Sequence, residues 1–218
     1  MSDLWSIGLA LLLAYLLGSL SGSLILGRMI GVDIRRSGSG NAGGTNAFRT
    51  RGWRFALSVA LIDVSKGVLA AWIPTLSGLN TTLTPWLMAG CILAAAVGHV
   101  WPIFFGFRGG KGAAVLVGGL AVFWPSALVL VLLVWLGVLL LSGYVGLATI
   151  LASASLLPMA ALNVGSETGL RWAFALLATG FILFTHRANV QRLRHGNEHR
   201  FNKVRVFARK TTGSSGPK

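Results

Sequence analysis

The sequence predicts an all-α, polytopic membrane bundle with seven transmembrane helices, the N-terminus outside and the C-terminus cytoplasmic. Three observations carry this. Apolar runs at Leu4–Ile25, Phe55–Leu76, Pro85–Phe105, Ser126–Leu141, Tyr144–Leu162 and Leu170–Phe184 are mostly long enough for a bilayer, which takes roughly 17–25 residues. Of the 218 residues, 54% are hydrophobic and 11% charged, which leaves no separate soluble module. Positive charge also alternates between loops. Arg28, Arg35, Arg36, Arg49, Arg51 and Arg54 follow the first run, Arg108 and Lys111 the third, and Arg187 to Lys218 the last. The loops around Ser77–Thr84 and Asn163–Gly169 are nearly free of it, so the positive-inside rule puts the basic segments in the cytoplasm. Opposite sides for the two termini require an odd number of spans. The seventh is Ala113–Trp124, short and ended by Pro125; if it does not cross, five spans remain and it forms a re-entrant pair with the next segment.

Each element also has local reasons. The N-terminus lacks the basic stretch of a cleavable signal, so the first run is expected to be a retained helix. Its cytoplasmic half carries Gly18, Ser19, Ser21, Gly22, Ser23 and Gly27, small residues that serve close helix packing or shape a cavity. In the second run Asp63 and Lys66 share a face and pair, either pinning the helix or meeting a ligand. Pro102 kinks or ends the third run, and Trp101, Phe104, Phe105 and Phe107 form an aromatic belt at the headgroups. His99 there is taken as a packed histidine. Residues 1–209 read as one transmembrane domain and 210–218 as a disordered tail.

Composition excludes several function classes. A net charge of +14 would suggest nucleic acid in a soluble protein, but here the cations cluster at helix ends, facing membrane lipids. The single Cys91 excludes an internal disulfide and a cysteine metal cluster. Of the five acidic residues, Asp3 and Glu167 fall on the outer side, Asp63 is opposite Lys66, and Asp33 and Glu198 read as isolated. A two-metal carboxylate site or a Ser–His–Asp triad therefore lacks its acids, and no metal or cofactor is expected.

The candidate site is built from glycine-rich, cationic loops on one membrane face. Residues 37–49 hold Gly38, Gly40, Gly43 and Gly44 with Ser39, Asn41, Thr45, Asn46 and Arg49: a flexible backbone, short hydrogen-bonding side chains and a guanidinium fork. Successive amides in such turns form a nest for an anion. The formal G-x-G-x-x-G match there is not a dinucleotide fingerprint, because a membrane helix rather than a strand precedes it. Residues 108–112, Arg-Gly-Gly-Lys-Gly, give a second such turn, with Gly109, Gly110 and Gly112 exposing amides and Lys111 adding charge. It is not a Walker A loop, since Phe105 and Gly112 stand where glycine and serine or threonine are needed. His186 and Asn189 lie on one face of the last helix as it leaves the membrane. This constellation suits a substrate with phosphates and an acyl or lipid part.

The segments Gly38-Ser-Gly-Asn-Ala-Gly-Gly-Thr-Asn46, Asp63-x-x-Lys-Gly67, Gly98-His-x-x-Pro-x-Phe-x-Gly-Phe-Arg-Gly-Gly-Lys-Gly112 and His186-Arg-x-Asn189 together resemble the PlsY family, bacterial glycerol-3-phosphate acyltransferases that use acyl phosphate. The resemblance runs from about Ala14 to Phe201. It implies a seven-helix inner-membrane enzyme moving a fatty acyl group from acyl phosphate to the 1-hydroxyl of glycerol 3-phosphate, giving lysophosphatidic acid. It implies Lys111, Arg49 and His186 as catalytic residues. Ser39, Gly40, Asn41, Gly43, Gly44, Thr45, Asn46, Gly109, Gly110, Gly112 and Asn189 become substrate-binding residues. Two departures stand out: Gly44 replaces the family's usual alanine, and Gly146 replaces a usual substrate-binding serine, whose contact is then missing or comes from Ser142 or Thr149.

The chemistry agrees. An acyl phosphate is already activated, so no covalent nucleophile is needed and none is visible. His186 is the one side-chain base to nominate; the resemblance suggests a substrate phosphate oxygen instead. The partners are the two substrates and membrane lipid, with no nucleic acid; a monomer is compatible. The rival from another class is a transporter of a phosphorylated or organic anion, favoured only by Asp63 and Lys66. No internal repeat marks one.

Overall fold

The computed structural model describes residues 2–76, 83–202 and 206. The expected tail at 210–218 and most of the loop around 77–84 lie outside these. Among the described residues ten α-helices follow one another: α1 (Ser2–Ser19), α2 (Gly22–Met29), α3 (Gly44–Leu76), α4 (Thr84–Val100), α5 (Ala113–Phe123), α6 (Pro125–Ser142), α7 (Val145–Ala154), α8 (Leu156–Ala161), α9 (Thr168–Thr185) and α10 (Arg187–Arg194). The described residues contain no strand. α3, α6, α9 and α4 with its following turn are long and apolar enough to cross a membrane; α1 and α2, bent by 44°, make a fifth crossing if taken together. The remaining apolar segments, α5 and α7–α8, are shorter.

Glycine decides where helices meet. A methyl added at Gly18 on α1 would stand 2.0 Å from the Ala95 carbonyl oxygen on α4, and one at Gly98 on α4 would stand 2.1 Å from that of Tyr15 on α1. The same reciprocity joins α3 to α5, through Gly67 against Val115 and Gly118 against Val64. In lipid, where apolar side chains gain nothing by leaving one another's company, such backbone approach is a main source of cohesion.

The first apolar run is not one helix. It breaks at Leu20–Ser21, and Asp63 and Lys66 are what the break needs. Lys66 Nζ donates to the freed carbonyls of Gly18 (3.1 Å) and Leu20 (3.0 Å), while Asp63 Oδ1 accepts the Gly22 amide at 3.3 Å and pairs with Lys66 at 2.9 Å. Backbone groups left unpaired by the break are thereby given side-chain partners. His99 completes the cluster, its Nδ1 3.2 Å from Lys66 Nζ and 3.5 Å from Asp63 Oδ1.

Three other boundaries, and the aromatic belt, differ from expectation. Residues 44–49, read as loop, are the first turns of α3, which has a non-helical residue at Gly52 (φ 81). The Tyr144–Leu162 run divides at Ser155, ahead of Pro158. The last helix does not run on through Asn189: it stops at Thr185, and α10 restarts from His186. The aromatic belt is only partial, because Phe104 and Phe107 are exposed while Phe105 is buried beneath the Arg28 guanidinium, 4.6 Å from its ring centre.

Candidate active site

A cavity of about 760 Å³ opens between α3, α5, α6, α7 and α9. Its head is polar and its depth apolar.

The first wall is the loop before α3. Asp33 caps the turn at Ile34–Arg36, and its carboxylate holds the Arg35 guanidinium at 2.9 Å. Arg35 then reaches across to the carbonyls of Phe105 (2.9 Å) and Arg108 (3.0 Å), and the Ala42 amide donates to the Gly109 carbonyl at 3.3 Å. Both contacts lock the two glycine-rich loops together. Asn46 is buried and fully engaged: its Oδ1 accepts the Ser39 amide at 2.8 Å, and its Nδ2 donates to the carbonyls of Ile34 and Ser37. It shapes the loop rather than offering free hydrogen bonds. Past it, the first turn of α3 at Gly44, Thr45 and Asn46 lines the cavity, where helix-start amides and the helix dipole favour an anion.

The second wall is the loop before α5. Its glycines do not form the open nest expected: the Gly109 and Gly110 amides donate to the Val100 and His99 carbonyls, each at 3.0 Å. They close the orphaned end of α4. Gly110 also lies over the His99 ring, leaving no room for a side chain. The anion-facing element is the start of α5, where Gly112, Ala113 and Ala114 line the cavity.

Between the walls stand the charged groups. Arg49 Nε is buried and has no hydrogen-bond partner among the described residues, and its guanidinium carbon lies 5.2 Å from the Phe201 ring centre. A buried unpaired guanidinium donor is costly, so this atom points to an anionic ligand. Lys111 donates to Asn189 Oδ1, and its own carbonyl accepts the Thr185 hydroxyl at 3.1 Å. Burial, then the nearby Arg192, depresses its pKa from 10.5 to about 8, with Glu198 opposing. His186 is pulled down to about 4 by burial and by Lys111. Its Nδ1 sits 3.0 Å from the Ile182 carbonyl, which assigns the ring proton there and leaves Nε2 with its lone pair.

Glu198 is the residue the sequence reading missed. Far from isolated, it is buried, accepts Asn189 Nδ2 at 2.9 Å and pairs with Arg192 Nε at 2.6 Å. Its grip orients the Asn189 amide so that Oδ1 faces Lys111. A lone acid inside the basic run 192–210 was the available signal. Asp33 is likewise paired, as above. Gly146 packs on the same asparagine: a Cβ there would meet Asn189 Nδ2 at 2.6 Å. Neither proposed substitute for the usual serine is free. The Ser142 hydroxyl donates to the Val138 carbonyl and accepts the Tyr144 amide, and that of Thr149 donates to Val145 and accepts Trp135 Nε1.

Of the residues singled out in the sequence, Ser39, Asn41, Gly43, Gly44, Thr45, Asn46, Arg49, Lys111, Gly112, His186 and Asn189 line this one cavity. Gly40, Gly109 and Gly110 do not; they form the turns behind it. Deeper in, Leu120, Val131, Trp135, Ala152, Leu156, Phe174, Ala178 and Ile182 make an apolar groove.

A membrane bundle whose cavity joins a cationic, amide-rich head to an apolar groove has the build of an enzyme that brings a small anion together with a lipid chain. Residues 8–196 match the family described as Glycerol-3-phosphate acyltransferase, and the chain belongs to that family. Glycerol-3-phosphate acyltransferases of Syntrophomonas wolfei and Aquifex aeolicus are each 38% identical to it, over 86% of this chain and 93% and 95% of theirs. Crystal structures of PlsY, an integral membrane glycerol 3-phosphate acyltransferase, superpose with TM-scores of 0.80 for the glycerol 3-phosphate form and 0.77 for the lysophosphatidic acid form. Those two share 35% and 34% identity with the chain, covering 90% of it and 96% and 95% of the respective crystal chains. Like them, this is a multi-pass membrane protein.

Proposed function

We propose that the protein transfers a fatty acyl group from acyl phosphate to the 1-hydroxyl of glycerol 3-phosphate, yielding lysophosphatidic acid and inorganic phosphate. The observation that carries this is the unpartnered Arg49 Nε sharing a cavity with Lys111 and two helix N-termini, at the head of an apolar groove. Two phosphates neutralise the cations there, and the groove takes the acyl chain.

In the reaction the glycerol oxygen forms a bond to the acyl carbonyl carbon, and the bond from that carbon to the phosphate oxygen breaks. The hydroxyl proton leaves on the departing phosphate. Lys111 and the α5 amides face the phosphate whose charge grows, and Arg49 with Ser39 and Thr45 holds the acceptor. Asn189, oriented by Glu198, fixes Lys111. Holding hydroxyl and carbonyl in attack geometry contributes up to about 7–11 kcal/mol. His186, with its pKa near 4, is a weak base and serves better as a neutral hydrogen-bonding group.

The bundle crosses a bacterial inner membrane seven times, with α1–α2, α3, α4, α5, α6, α7–α8 and α9 as the passes. The N-terminus lies outside, and the C-terminus and active site lie on the cytoplasmic side; the arginines and lysines of the loops support this orientation. Purified protein in detergent should acylate glycerol 3-phosphate from a defined acyl phosphate, with chelators without effect. Transfer from acyl-coenzyme A or acyl carrier protein thioesters alone would overturn the donor assignment.

A further inference from the structure

The apolar groove has a floor. On α9 the cavity-lining residues Ile182, Ala178 and Phe174 descend from His186 at intervals of four, one helix face leading inward. Twelve residues separate His186 from Phe174, about 18 Å at the α-helical rise. On α6, Val131 lies eleven residues from Ser142, about 17 Å down, so the two walls reach similar depth. Phe174, Leu120, Val131 and Leu156 are the deepest lining residues of their helices, and all are buried. Phe123 backs the Phe174 ring, centroids 4.8 Å apart, and one turn further on Trp124 and Ala127 are fully buried.

We propose that Phe174, with Leu120, Val131 and Leu156, sets the length of acyl chain the enzyme accepts. This rests on the reading that the groove holds the acyl group. An extended chain advances about 1.25 Å per carbon–carbon bond, so 18 Å of groove takes roughly 14 bonds and favours acyl groups of about 14–16 carbons. Each methylene buried up to the floor favours binding about fourfold; beyond it, a longer chain must bend or displace packed side chains. Ala178, one turn above the floor, is small enough to let the chain pass.

The test pairs two readouts across chain lengths of about 10–20 carbons: transfer from acyl phosphates, and thermal stabilisation of the protein by lysophosphatidic acids. Phe174→Ala should move both optima about three or four carbons longer and Phe174→Leu about one, whereas Ala178→Phe should move them about four shorter. An unchanged optimum in Phe174→Leu and Ala178→Phe, each folded, overturns the ruler. Wild-type protein that transfers no acyl phosphate of any length, yet keeps the shifts in lysophosphatidic acid binding, overturns the donor assignment and leaves the ruler standing.

Discussion

Replacing Lys111 with methionine should stabilise the empty protein while abolishing its activity. The folded state holds this ammonium in a partly buried site beside Arg192 and Arg49, which lowers its pKa from 10.5 to about 8. At about 1.36 kcal/mol per pKa unit, that shift is about 3 kcal/mol of strain at neutral pH. Losing the hydrogen bond to Asn189 returns about 1 kcal/mol, leaving a net gain of about 2 kcal/mol, or roughly 4–8 °C for a chain of this size. The sign with pH follows. Between about pH 8 and 10.5 the unfolded chain binds more protons at this lysine than the folded one, so wild-type stability rises with pH across that window and approaches the variant's. Cys91, the single cysteine and fully buried, supplies the assay: a thiol-reactive dye reports unfolding as the sulfur is exposed. Inorganic phosphate should raise the midpoint of wild type by more than that of Lys111→Met, which keeps Arg49 and the two helix starts but loses one cation. A variant no more stable than wild type at pH 7, with no convergence by pH 10, would refute the argument that the site is strained until an anion fills it.

Three further outcomes follow from the site. Arg49→Ala should leave the protein folded, since its buried Nε has no hydrogen bond to lose and the stacking on Phe201 is worth about 0.5–1 kcal/mol, yet lower kcat/KM for transfer by about 10²-fold; steady-state kinetics beside the thiol assay separates the two. His186→Ala should raise KM for glycerol 3-phosphate with turnover largely kept, and the wild-type pH profile should show no essential base titrating between pH 5 and 7; a fall in kcat alone would restore His186 as the proton acceptor. Gly146→Ala should push Asn189 off Lys111 and reduce kcat at least about tenfold without unfolding the protein, read in the same pair of assays.

How much of this was legible in sequence depended on whether one residue or several decide the outcome. The apolar runs were readable because bilayer thickness imposes length; that Arg49 and Lys111 would meet in one cavity was readable from cations set among glycines, and His186 and Asn189 from their three-residue spacing at the end of the last run. The break at Leu20–Ser21 was not, because it exists only where Asp63 and Lys66 arrive from another helix to satisfy it. Gly109 and Gly110 misled for a related reason: they serve the backbone of α4 rather than the cavity. Glu198 escaped notice because its partners, six and nine residues back, meet it only when the chain folds over after α10.

Arg35 has a consequence beyond holding shape. Its guanidinium ties the loop before α3 to the turn before α5, behind the two helix starts that line the cavity, so the two move together. On the proposed function, this makes the two substrate sites one mechanical unit, so each substrate should strengthen binding of the other by the same factor, which titrating one in the presence of the other measures.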